Sequence, residues 1–162
     1  MQSRIPGVGL NVAWQYLSAT QKRNFKSQAR DFLRRIHALR SPYSKPTYVV
    51  PDDDPVNHRG IQELEREILF GTEEHEDLGL MHNDLSLSNI IVNEDKIVGV
   101  IDWEMAGYFG WQRAASVHTQ IRTPKRENFR NLDLPTEQLQ DILYWNNLYD
   151  LDPASCTPED FT

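Results

Sequence analysis

The sequence predicts an α+β domain, and three observations predict it. A capping box at Ser18-Ala19-Thr20-Gln21 opens a stretch in which Phe25, Ala29, Phe32, Leu33, Ile36 and Leu39 recur at steps of three and four, the period of an amphipathic helix. Two apolar, β-branched runs, residues 89–92 and 96–101, flank Asn93-Glu94-Asp95 as strands flank a hairpin turn. The composition, 39% hydrophobic and 10% aromatic over 162 residues, is enough for one domain with its own core and argues against disorder.

Taken in order, residues 10–40 read as helices. Leu10, Trp14 and Leu17 have the spacing of a short helix on the same core as the long one, which is expected over residues 19–39 before Pro42 ends the helical region. Residues 41–57 hold Pro42, Pro46, Pro51, Pro55 and Asp52-Asp53-Asp54, and the stretch to residue 60 reads as an irregular surface connection. The Asp triplet reads as a solvated loop, because a calcium loop needs spaced ligands and a glycine turn. Glu73-Glu74-His75-Glu76-Asp77 reads likewise as a wet, charged run ahead of a strand rather than a metal cluster. Leu78-Gly79-Leu80-Met81 is a short apolar approach to the next loop. The chain beyond residue 111 is more helical. Pro135 opens a helix expected to reach residue 148, with Leu139, Ile142, Leu143 and Tyr144 on its inner face.

The chemistry is concentrated in residues 80–103. One loop carries His82, Asp84 and Asn89, and Asp102 follows at the end of the hairpin. Asp84 can accept or orient a hydroxyl proton, while Asn89 and Asp102 offer hard oxygen ligands to Mg²⁺, which takes only one or two carboxylates from a protein. Phosphoryl transfer asks mainly for positioning and charge stabilisation, so this set suits that reaction. The competing reading makes Asp84 and Asn89 turn residues that cap local backbone, with Asp102 merely ending a strand. His82 is expected to hold the loop's backbone rather than to act as the base.

A net charge of −7 and a pI near 5.2 argue against nucleic acid or an anionic membrane as partner, and would attract a cationic substrate. The single cysteine, Cys156, cannot form an internal disulfide. No stretch approaches 18 apolar residues, and residues 1–13 lack the basic start and apolar run of a signal peptide. These features read as a soluble intracellular chain, with the cytoplasm as the default location.

His82-Asn83-Asp84-Leu85, then Asn89-Ile90-Ile91-Val92, then Gly99-Val100-Ile101-Asp102-Trp103-Glu104 resembles the catalytic loop and metal-binding segment of the aminoglycoside phosphotransferase and choline kinase-like family. The pattern is close to the fungal branch. There a segment similar to Ser3-Arg4-Ile5-Pro6-Gly7 lies near the hinge, and a helix ends in a run like residues 33–41. The resemblance spans residues 4–111. It implies a mainly helical C-terminal lobe of the protein-kinase-like fold, with short β-hairpins carrying the catalytic loop in residues 78–104. Residues 1–9 would be a hinge remnant and residues 105–162 a helical, substrate-side tail. It also implies ATP as phosphoryl donor with Mg²⁺, Ile101 in the apolar floor beneath the adenine, and Trp103, Glu104, Tyr108 and Trp111 near the acceptor. Aromatic faces there suit a cationic or sugar ligand, although the same side chains also read as ordinary core packing.

The departures shape the functional expectation. A kinase of this kind clamps ATP with an N-terminal sheet, a phosphate-covering loop and a lysine, and residues 1–9 hold nothing of the sort, so that lobe is expected to be absent. The isolated chain is then expected to be weak or inactive, with a surface for self-association where the lobe would pack. Ser86, Leu87 and Ser88 supply no cation to the loop, Gly110 stands near an expected proline, Gln112 replaces an acid, and Asn83 replaces the commoner glycine. Two functions follow. One is an ATP-dependent phosphotransferase acting on a small-molecule hydroxyl (an aminoglycoside, choline, a sugar or another alcohol), incomplete as given. The other is a truncated, inactive relative that serves as a binding or scaffold module, or a non-functional gene product.

Overall fold

A computed structural model describes residues 3–72, 74–75 and 77–150; the expectations attached to Cys156 and to the rest of the tail fall outside them. Val8–Gly9 (β1) leads into Leu10–Ala13 (α1) and a 3-10 turn, Trp14–Tyr16, which together bury Leu10 and Trp14. Ala19–His37 (α2) follows. Its capping box is reciprocal: the Gln21 amide donates to Ser18 Oγ at 3.1 Å and the Ser18 amide donates to Gln21 Oε1 at 2.9 Å. The inner face buries Phe25, Ala29 and Leu33, and α2 lies against two of the strands described below.

The helix stops two residues short of the expected Leu39, because the backbone there is claimed by a strand. The Leu80 amide donates to the Leu39 carbonyl at 3.0 Å and the Ser41 amide to the Leu78 carbonyl at 2.9 Å. That strand, Gly79–Met81, passes so close that a Cβ at Gly79 would sit 2.2 Å from the His37 carbonyl oxygen.

The expected irregular connection at residues 41–60 needs correcting. It contains Thr47–Tyr48 (β2) and Pro55–Arg59 (α3). The ring of Tyr48 is buried against Phe70 and Phe109, with centroids at 5.4 and 5.5 Å, and this apolar anchor outweighs the prolines around it. Asp54 caps α3 by accepting the Asn57 amide at 3.3 Å, Pro55 fills its first turn, and Gly60 ends it at φ +69°. The acidic triplet is therefore partly structural. Asp52, Asp53 and His58 bring ligand atoms within 4.8 Å of one another, but the Asp52 carboxylate already accepts from His58 Nδ1 at 2.8 Å and Arg59 Nε at 3.0 Å. In the second acidic run, Asp77 bridges His37 and Arg40, and His75 bonds the Gly71 carbonyl.

Glu63–Phe70 (α4) precedes Gly79–Met81 (β3). The loop after β3 ends in a 3-10 turn at Leu87–Asn89 and opens into a hairpin of Ile90–Asn93 (β4) and Lys96–Val100 (β5), with Glu94 at φ +54° in the turn. Register shifts between Ile91, opposite Gly99, and Val92, opposite Ile97, leaving Val98 as a bulge. Helix α2 holds the turn, since Gln28 accepts from the Ile97 amide and donates to the Asp95 carbonyl.

Gly107–Phe109 (β6), Trp111–Val117 (α5) and Thr136–Leu143 (α6) complete the described elements. The strands form two antiparallel three-stranded sheets, ordered β1-β4-β5 and β2-β6-β3. Helices and antiparallel sheets in one chain make the fold α+β. Helix α6 ends at Leu143 rather than residue 148: Leu139, Ile142, Leu143 and Tyr144 are half-buried, and the buried side chains are Trp145, Leu148 and Tyr149 in the turns that follow. Past Leu143 the bonds tighten to three-residue turns, from the Tyr144 amide to the Asp141 carbonyl and the Asn146 amide to the Leu143 carbonyl, and Lys26 and Arg30 of α2 take the carbonyls of Tyr144, Asn147 and Leu148 at 2.6, 2.8 and 3.1 Å. Among the described residues no helix is long and apolar enough to cross a membrane.

Candidate active site

Strand β3 delivers the chain to His82, which is fully buried. Its Nδ1 accepts the Asp84 amide at 3.1 Å, so the proton lies on Nε2, which donates to the Ile101 carbonyl at 2.9 Å. Burial holds its pKa below the usual value and favours the neutral ring. A neutral imidazole with both nitrogens engaged joins the loop to the hairpin and is in no position to serve as a base. Trp103 stands edge-on to it at 4.8 Å, touches Phe32 of α2 at 6.0 Å, and donates its indole N–H to the Val100 carbonyl.

Asp84 is half-buried. Its own carbonyl accepts from Asn89 Nδ2 at 2.8 Å, an arrangement that leaves Asn89 Oδ1 as a spare hard oxygen. The Asn89 carbonyl in turn accepts the Ile101 amide at 2.9 Å, which fastens residue 102 beside the loop. Burial raises the Asp84 carboxyl above the ordinary carboxylate range, the charge of Arg122 opposes that rise, and the charge of Asp102 adds to it. The exposed Asp102 carboxylate has neither hydrogen bond nor ion pair among the described residues. Asn83 and Asp102 both have left-handed backbones, at φ +66° and +59°, a conformation uncommon outside glycine and asparagine and frequent at functional sites. Asn83 is secured by a bond from its amide to the Met105 carbonyl at 3.2 Å. Asn89 Oδ1 and the Asp102 carboxylate are hard oxygens of the kind Mg²⁺ accepts.

Two further residues stand at the site without any signal in the motif. Arg122 closes a π-helical turn, His118–Arg122, that continues α5. Its Nε donates to the Asn83 carbonyl at 3.0 Å and lies 3.6 Å from Asp84 Oδ1, while Nη2 donates to Glu65 Oε1. The loop's own residues 86–88 carry no cation, and the fold supplies one from elsewhere. Glu65 is 1% exposed, and burial pushes its carboxyl up against the opposing pull of Arg122. A glutamate in helical register with Ile68 and Leu69, on the apolar side of α4, was the one clue available in the sequence.

The remaining candidates divide. Ile101 is exposed beside Asp102, and its backbone engages both His82 and Asn89. Glu104 is exposed and its carbonyl accepts from Arg59. Tyr108 packs on Tyr43 at 6.4 Å. Trp111 lies between His37 and Tyr149, both at 5.4 Å, and donates to the Tyr149 carbonyl. The structure therefore gathers His82, Asp84, Asn89, Ile101, Asp102 and Trp103, and it employs Tyr108 and Trp111 in packing of their own. A cavity of about 530 Å³ opens beside the π-turn, lined by Thr119, Gln120, Lys125, Arg126, Leu143 and Asn146 among others.

A comparison with curated proteins gives no match. The sequence pattern of the phosphotransferase enzyme family (APH) matches residues 1–109, a span that includes β3, the His82–Asn89 loop, the hairpin and Asp102. With 109 of its 162 residues matched, the chain belongs to the phosphotransferase enzyme family.

Proposed function

We propose that this chain carries the catalytic loop of an Mg²⁺- and ATP-dependent phosphotransferase that acts on a hydroxyl of a small molecule, arranged like the C-terminal lobe of the protein-kinase-like fold. The observation that carries this reading is the convergence of Asp84, Asn89 and Asp102 across loop and hairpin. Asp84 orients the acceptor hydroxyl and takes its proton; burial makes it a stronger base than an exposed carboxylate, and Arg122 limits that effect. Asn89 Oδ1 and Asp102 would hold Mg²⁺, which when bound neutralises charge on the phosphates. Ile101 supplies apolar surface for the adenine. The cavity beside the π-turn has the size of a small-molecule site and is lined by residues of the tail expected on the substrate side.

The test is calorimetric titration of ATP into the full chain with Mg²⁺ and with EDTA, for the native sequence and Asp102→Ala. Mg²⁺-dependent binding that Asp102→Ala removes supports the reading. Equal heats with and without Mg²⁺ would refute it. In that case a binding module becomes the better account, and one observation favours it: Val8, Val12 and Tyr16, the last 80% exposed, present apolar surface along β1, α1 and the turn that follows. Self-association seen by light scattering would accompany that outcome.

A further inference from the structure

We propose that Arg122, anchored by the buried Glu65, is a positioning residue that sets the peptide entering Asp84, so that the catalytic loop is aimed by a guanidinium fork from an element remote in sequence. This rests on the phosphotransferase reading above for its consequence in catalysis, but not for its geometry. The guanidinium meets two elements at once: Nη2 donates to Glu65 on α4, and Nε donates to the Asn83 carbonyl at 3.0 Å with Asp84 Oδ1 3.6 Å away. Asn83 is the residue with φ +66°, so the bond falls on the peptide whose unusual conformation turns the chain toward Asp84.

The chemistry at position 65 supports a role beyond holding the fold together. A buried ion pair contributes little to stability compared with apolar packing, and Glu65 shares its helix face with the half-buried Ile68 and the buried Leu69, where an apolar side chain would be expected. Glu65 Oε2 and the Tyr48 hydroxyl are also buried with no hydrogen-bond partner among the described residues, which makes the carboxylate costlier still. What that carboxylate does is fix Arg122. The π-turn contributes as well: the Thr123 amide reaches back five residues to the His118 carbonyl at 3.0 Å, and this wider turn carries the guanidinium to the loop. A lysine ammonium lacks the planar fork that contacts both partners.

The test uses Arg122→Lys and Glu65→Gln in the full chain, both mild enough to preserve the fold. Amide hydrogen exchange is read residue by residue. Each variant should speed exchange at Asp84 and Leu85 by about tenfold or more, with amides of α2 unchanged. Arg122→Met should do the same, and guanidinium ion at sub-denaturing concentration should restore protection in that variant while Glu65 is present. Exchange at residues 82–85 like that of the native chain, or acceleration spread evenly over the domain, would overturn the proposal. Phosphoryl transfer is measured in parallel: kcat should fall about tenfold with KM for ATP unchanged. If the loop responds as described while ATP binding shows no Mg²⁺ dependence, the positioning role stands and the phosphotransferase reading fails.

Discussion

Asp84 owes its chemistry to opposed environments. Burial disfavours its charged form, whereas the Arg122 guanidinium favours it, and the balance leaves the carboxyl above the ordinary range. A base must be ionised to act, so the rate should fall on acidification, starting at a pH higher than the value near 4 of a free aspartate. Arg122→Met removes the strongest opposing charge and should move that acid limb further up; the pH profile of kcat/KM checks both. Asp84→Asn should lower kcat by a factor of about 10² to 10⁴ while Mg²⁺-dependent ATP binding persists. Loss of binding together with rate would place Asp84 among the metal ligands instead.

Among the elements, those written in local signals were legible from the sequence. Helix α2 starts at its capping box, and the β4–β5 hairpin sits where two β-branched runs meet a polar turn, because both depend on residues a few positions apart. Strand β2 was not legible, since Tyr48 finds its partner in Gly107 of β6 and its packing in Phe70 and Phe109. The same holds at the site, where the loop and its Asp102 could be read from spacing, but Arg122 and Glu65 are joined across 57 residues by packing alone. Proteins tolerate the loss of a cap better than a collision of backbones. Ser18→Ala should cost about 1 kcal/mol. Gly79→Ala, with its Cβ driven against the His37 carbonyl, should cost about 2 kcal/mol or more. Urea denaturation of the two variants would test the order, and equal effects would mean that β3 can shift away from α2.

For the whole molecule, the buried His118 and His82 work against stability in acid. His118 is buried with Nε2 bonded to the Trp145 carbonyl, and its pKa is pulled down to about 4 by burial. A folded-state pKa below the unfolded one means full stability above about pH 6.5, lost as pH falls through about 4, and a shift of this size is on the order of 3 kcal/mol. His82, also lowered, acts in the same direction. Asp84 and Glu65, both raised, act in the opposite sense, since protonating them relieves a buried charge. Urea midpoints should therefore decline on acidification from about pH 6.5, and His118→Gln should flatten that decline. The bonds from Lys26 and Arg30 to the carbonyls of residues 144–148 span 117 to 118 positions of the chain. Synthesis therefore delivers these two cations more than a hundred residues before their acceptors. Helix α2 can meet β3 and β5 as soon as they are made, but the pairing of its two cations waits for residues 144–148 to emerge.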